Sequence, residues 1–159
     1  MRLLNVHTFE FREYLPDNIP RYVIASHRWV DGEEVTLEDV QEKRNAKKLG
    51  WKKVEGFAQY IKDCVQHVEW LWIDTCCINK KSDVELSESI NSMFKWYLNA
   101  EVCLAYLADV DGKDDPDGLG RSVWFSRGWT LQELLAPQTV VFLTQAWKTI
   151  GHKGENRSQ

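Results

Sequence analysis

The residues best equipped for chemistry stand where short apolar runs end. Ser26, His27 and Arg28 close the run that begins at Tyr22 and set a hydroxyl, an imidazole and a guanidinium side by side. Such a group can hold a sugar hydroxyl or a diphosphate through hydrogen bonds and charge. An isolated histidine such as His27 is more often a satisfied polar group than a base, and Arg28 has an alternative use as an ion-pair partner of Asp74 or Glu133. Asp74 ends the run Trp70-Leu-Trp-Ile-Asp74 and can cap the following turn as readily as it can bind a ligand. Glu133 stands three residues after Thr130, the spacing of a capping box. That role alone explains it, and local sequence weighs it equally against a catalytic role, for which Arg127 would keep the carboxylate ionised. Trp29 and Trp129 offer flat apolar area, for stacking on a ligand or for filling a core. Cys64-x-x-His67 with Cys76 or Cys77 lacks the second well-spaced ligand pair of a zinc site, so no metal is expected.

The elements that must position these groups alternate in type. Strands are predicted at 22–26, 70–74, 102–107 and 139–143, from short runs rich in β-branched and aromatic residues. Val54, Phe57, Ala58, Ile61, Val65 and Val68 fall on one face of a helix predicted over about 51–68. Ser82-x-x-Glu85 opens another helix, with the stripe Leu86, Ile90, Met93, Phe94, Tyr97 and Leu98. A short helix beginning at Thr130 must stop at Pro137. The segment 109–120, acidic and carrying Gly and Pro, reads as a loop. This order predicts an α/β fold of three layers, a mostly parallel central sheet with helices on both faces. Ligands of such sheets bind outside the carboxyl ends of the strands, where Ser26 and Asp74 fall.

At 159 residues the chain is sized for one domain, expected over 1–151, with 152–159 a frayed tail or the start of a linker to a missing C-terminal region of a larger parent. No internal repeat is visible. A net charge of −4 argues against nucleic-acid binding. The cations Lys43, Arg44, Lys47, Lys48, Lys52 and Lys53 read as the solvated face of a helix. No secretory signal opens the chain, and no apolar run is long enough to span a membrane. The four cysteines, Cys64, Cys76, Cys77 and Cys103, lack the paired spacing of a disulfide scaffold, which points to a reducing, cytoplasmic setting. The absence of a Gly-rich phosphate loop or dinucleotide fingerprint argues against an NTPase or a Rossmann dehydrogenase.

Three blocks, Tyr22-Val-Ile-Ala-Ser-His-Arg-Trp29, Leu71-Trp-Ile-Asp-Thr-Cys-Cys-Ile-Asn79 and Trp124-Phe-Ser-Arg-Gly-Trp-Thr-Leu-Gln-Glu133, resemble the heterokaryon incompatibility (HET) domain in sequence and order. Met1–Asn5 and Glu85–Tyr97 look like its fungal branch, so the resemblance spans nearly the whole chain. Val30 stands where that family usually has Gly, and Lys80 where it often has Gln. The HET domain in turn is similar to Toll/interleukin-receptor (TIR) domains, which implies a TIR-like, flavodoxin-like architecture. Ser126 to Leu134 is similar to the TIR segment whose glutamate cleaves NAD⁺ in enzymatic members, and that glutamate corresponds to Glu133. The loop 108–123 is longer than its TIR counterpart.

The resemblance thus implies a cell-death effector that hydrolyses NAD⁺ as substrate at the nicotinamide–ribose bond, with no permanently bound cofactor, and that is activated by self-association into a homo-oligomer. In that reading Trp29 and Trp129 stack on nicotinamide or adenine, and Ser26, His27, Arg28 and Asp74 contact the ribose and diphosphate. The alternative is a non-catalytic module that transmits the signal by homotypic packing, which eight tryptophans would suit. A charge reversal at Lys47 would then abolish killing.

Overall fold

The computed structural model describes residues 1–112, 118–126 and 130–154. Its strands are β1 (Arg2–Asn5), β2 (Phe11–Glu13), β3 (Tyr22–His27), β4 (Trp70–Trp72), β5 (Val102–Tyr106), β6 (Val140–Leu143) and β7 (Thr149–Lys153). Its helices are α1 (Leu37–Glu42), α2 (Leu49–Cys64), α3 (Asp83–Asn99), α4 (Gly118–Arg121) and α5 (Thr130–Leu135). The seven strands take the order β2-β1-β4-β3-β5-β6-β7. All of β3 is buried, as a central strand covered on both faces requires.

The sheet is mixed, which corrects the expectation of a mostly parallel one. β5 and β6 run parallel, but β1–β2, β1–β4 and β6–β7 are antiparallel. Strand–helix alternation detects only strands joined by crossovers, and hairpin partners need no helix between them. The ladder of β7 pairs Val140 with Lys153 and Val141 with His152, past the expected domain boundary at 151.

The chain divides into two compact units: Met1–Val23 with Trp29–Met93, and Ile24–Arg28 with Phe94–Gln159. In the first, α2 buries Val54, Phe57, Ala58 and Ile61, the face its spacing predicts, and stops at Cys64 rather than 68. The helix α1, unforeseen, is opened by Thr36, whose side chain accepts from the Asp39 N–H while Asp39 reaches back to the Thr36 N–H. Arg44 and Lys48 pair with Asp39, and Lys53 is buried against Glu34 at 2.5 Å. The expected solvated cationic face holds in part: Lys43, Lys47 and Lys52 are exposed, whereas Arg44, Lys48 and Lys53 are engaged by Asp39 and Glu34, and Lys47 sits in a turn ahead of α2. At α3, Ser82 Oγ accepts from the Glu85 N–H at 3.2 Å, half of the expected capping box. The Glu85 carboxylate instead accepts from the Asn79 N–H at 3.1 Å and pairs with Arg2.

In the second unit β5 and β6 are joined through α4, a 3₁₀ turn at Val123–Ser126, and α5. The reading of 109–120 as loop is corrected at its end, where α4 begins at Gly118.

Candidate functional site

In the second unit, the end of β3 and the helix α5 bring Ser26 and Glu133 together, although 107 positions separate them in the chain. The Ser26 hydroxyl donates to Glu133 Oε2. Both residues are buried, Glu133 with 4% of its surface exposed. The other half of the expected capping box, the Thr130 side chain, lies outside the described residues.

Ser26 is held in turn by Trp124, whose indole N–H donates to Ser26 Oγ at 2.7 Å. The 3₁₀ turn that carries Trp124 is anchored by Asp109, which accepts from Ser122 Oγ at 2.6 Å and from the Val123 N–H at 2.8 Å. Burial opposes ionisation of Asp109, but these hydrogen bonds, with a contribution from Arg28, hold its carboxyl below the usual range. At the other end of α5, the Lys153 ammonium donates to the carbonyls of Leu134 at 2.7 Å and Pro137 at 3.0 Å, a cation where the helix presents unpaired carbonyls. Burial pushes the Cys103 thiol up, and the negative charge of Glu133 adds to that effect while Lys153 opposes it.

His27 is buried at the end of β3, and Arg28 is exposed beyond it. The charge of Arg28 is felt at Asp109.

In the first unit, Trp29 and Asp74 meet. The exposed Trp29 indole donates from Nε1 to Asp74 Oδ2 at 3.0 Å. β4 ends at Trp72, so Asp74 lies in the turn that follows, not in the strand. Lys80, noted in the sequence only as a departure from the family pattern, ties this turn together. Its ammonium donates to the main-chain carbonyls of Asp74 and Thr75 and lies 4.9 Å from the Trp29 ring centroid. Burial of the ammonium pushes its pKa below the ordinary lysine value, against the pull of Asp74. The signal that could have found Lys80 was its place six residues after Asp74, close enough to close the turn.

Arg127 and Trp129 lie outside the described residues. Among the described residues, no group of three or more His, Cys, Asp or Glu is placed to hold a metal ion. Nor is any helix there long and apolar enough to cross a membrane.

A buried carboxylate that accepts a hydrogen bond from a hydroxyl can stabilise a cation that develops beside it. Comparison with known proteins gives this geometry a context. Residues 22–118 match the family model described as heterokaryon incompatibility protein (HET). The chain is 43% identical over 145 residues to the vegetative incompatibility protein HET-E-1 of Podospora anserina, a match covering 85% of this chain and 10% of that protein. The chain thus spans about a tenth of the length of that relative. No solved structure matches it.

Proposed function

Because the chain belongs to the heterokaryon incompatibility family, we propose that it is the effector domain of a fungal cell-death protein, one that hydrolyses NAD⁺ at the nicotinamide–ribose bond through Glu133 once copies associate. One observation carries the reading: Glu133 is buried and hydrogen-bonded by Ser26 at the carboxyl end of β3. The central strand of an α/β sheet presents ligand-binding groups at that end.

The chemistry asks little else of the protein. The leaving nicotinamide is already cationic, so its departure needs no strong acid, and the ribose passes through an oxocarbenium-like state. A carboxylate about 4 Å from that cation, at an effective dielectric of about 20, stabilises it by roughly 4 kcal/mol. Since ~1.4 kcal/mol is tenfold in rate, this amounts to about a thousandfold. Arg28, exposed one residue beyond His27, supplies positive charge for the diphosphate. Incubation of associated protein with NAD⁺ is expected to release nicotinamide, and Glu133→Gln to lower turnover by about the same thousandfold. Equal turnover by both proteins removes Glu133 from the mechanism.

A second reading, a non-catalytic module that signals by homotypic packing, is favoured by α3. Phe94 and Leu98, spaced four apart on one side of that helix, are exposed. Killing that survives Glu133→Gln but not Phe94→Glu would select this reading.

A further inference from the structure

Trp124 has no part in the reaction proposed above. It is 1% exposed, and its ring meets Phe125 and Phe142 edge-on at centroid distances of 4.9 and 5.6 Å. Packing of that kind asks nothing of the indole nitrogen, yet the nitrogen lies 2.7 Å from Ser26 Oγ. Donor and acceptor chemistry then gives the contact a direction. An indole N–H can only donate, a serine hydroxyl carries one proton, and an ionised carboxylate can only accept. With a lone pair of Ser26 taken by the indole, its proton is committed to Glu133 Oε2. Hydrogen bonds in a chain polarise one another, so the indole makes the hydroxyl a better donor. A bond to a carboxylate is about twice as strong as one to a neutral group, so the chain favours the ionised form of Glu133.

We infer that Trp124 is a positioning residue that acts through Ser26, keeping the Glu133 carboxylate ionised and fixed in orientation. The turn that carries it is built to hold it in register: Asp109 clamps Ser122 and the Val123 N–H, and Ser122 Oγ accepts from the Trp124 N–H at 3.3 Å. The sequence hides this role, because Trp124 and Ser26 are 98 positions apart. Among the described residues, other titratable or charged groups on the surrounding elements are His27 and Arg28 at the end of β3, Cys103 and Tyr106 on β5, Asp109 after it, Arg121 on α4, and His152 and Lys153 on β7. None of them is altered by Trp124→Phe, which keeps an aromatic ring and removes the N–H.

The test titrates Glu133 directly in the whole chain. Glutamate is labelled with ¹³C at its carboxyl carbon, and the Glu133 resonance is assigned by its loss in Glu133→Gln. Trp124→Phe is expected to raise the Glu133 midpoint by about 0.5–1 in pH, the worth of one hydrogen bond, and Ser26→Ala to raise it further. In the Ser26→Ala background, Trp124→Phe is expected to change nothing more, because the link it acts through is gone. An unchanged midpoint in folded Trp124→Phe protein overturns the inference, as does an equal rise in both backgrounds or a wild-type Glu133 that is protonated at neutral pH. If Trp124→Phe does not fold, Ser122→Ala, which loosens the same turn without removing a charge, must raise the midpoint or the inference falls. The activity arm rests on the NAD⁺ reading: Trp124→Phe should lower kcat several-fold, leave KM within about twofold, and move the acid limb of the rate profile to higher pH. Absence of nicotinamide release from wild type would end the enzymatic reading, while the titration still decides the role of Trp124.

Discussion

Asp39 shows how much a single carboxylate can organise. Only 1% of its side chain is exposed, and it accepts from the Thr36 N–H at 3.1 Å, Arg44 at 3.0 Å, Asn45 at 2.7 Å and Lys48 at 2.8 Å. Burial opposes its charge, but these donors hold its carboxyl far below the usual range. In the unfolded chain the same group protonates near pH ~3.9. Because the folded pKa is depressed, its contribution is fully present above that value and is lost as pH falls below it, where only the unfolded state takes up the proton. Glu85 and Asp109 act in the same direction. Asp39→Asn is expected to cost about 3 kcal/mol at pH 7, by removing the buried anion on which Lys48 and Arg44 converge. Urea denaturation at pH 7 and at pH 3.5 should show that deficit narrowing in acid; a deficit equal at both would deny the linkage. Residue-scale reading of the sequence had a clear limit. It selected Ser26, Glu133, Trp29 and Asp74 by type and place, but a donor gives no sign of an acceptor far away in the chain. Trp124, Asp109 and Lys80 went unassigned for that reason, and each is fixed by partners that only the fold supplies.

At the scale of elements, the apolar pattern was legible wherever burial was one-sided along a long helix or nearly complete along a strand. The face of α2 and the core of β3, β5 and β6 could be read directly, because apolar spacing there records what the fold covers. Strands β2 and β7, mostly exposed or half-exposed edges, carry no such pattern, and α1 and α4 are too short to show one. The stripe on α3 was legible as a stripe but misassigned in part: Tyr97 is buried, whereas Ile90, Phe94 and Leu98 are exposed. Spacing shows which residues share a face and says nothing of what covers it. The start of α2 tests the importance of a close backbone approach. A methyl group on Gly50 would stand 2.7 Å from both the Glu33 carbonyl oxygen and the Val35 nitrogen, and the Gly50 N–H donates to that carbonyl at 2.8 Å. Helix propensity favours Ala over Gly by about 1 kcal/mol, so an unconstrained site would gain stability. Gly50→Ala is instead expected to lose about 1–3 kcal/mol, because backbone cannot move aside as a side-chain end can. A thermal midpoint at or above wild type would show that segment 33–35 yields.

At the scale of the molecule, the proposed reading requires copies to meet, and charge and apolar surface make opposite demands on that encounter. The chain carries a net charge of −4, so two copies repel each other at low salt. Against this stands the ridge on α3, where Phe94 alone leaves 53% of its surface exposed. Burying such a side chain contributes about 1.5–3 kcal/mol, and a few of them suffice for weak, concentration-dependent contact rather than a permanent dimer. Salt separates the two forces. The Debye length falls from about 30 Å at 0.01 M to about 8 Å at 0.15 M, which screens the repulsion and leaves apolar burial in place. Sedimentation at increasing protein concentration should therefore show self-association that strengthens with salt, and Phe94→Glu should suppress it with little loss of fold because the position is already half in water. Association that weakens with salt would assign the contact to opposite charges instead of the ridge, and a monomer under every condition would leave the α3 face without a role in assembly.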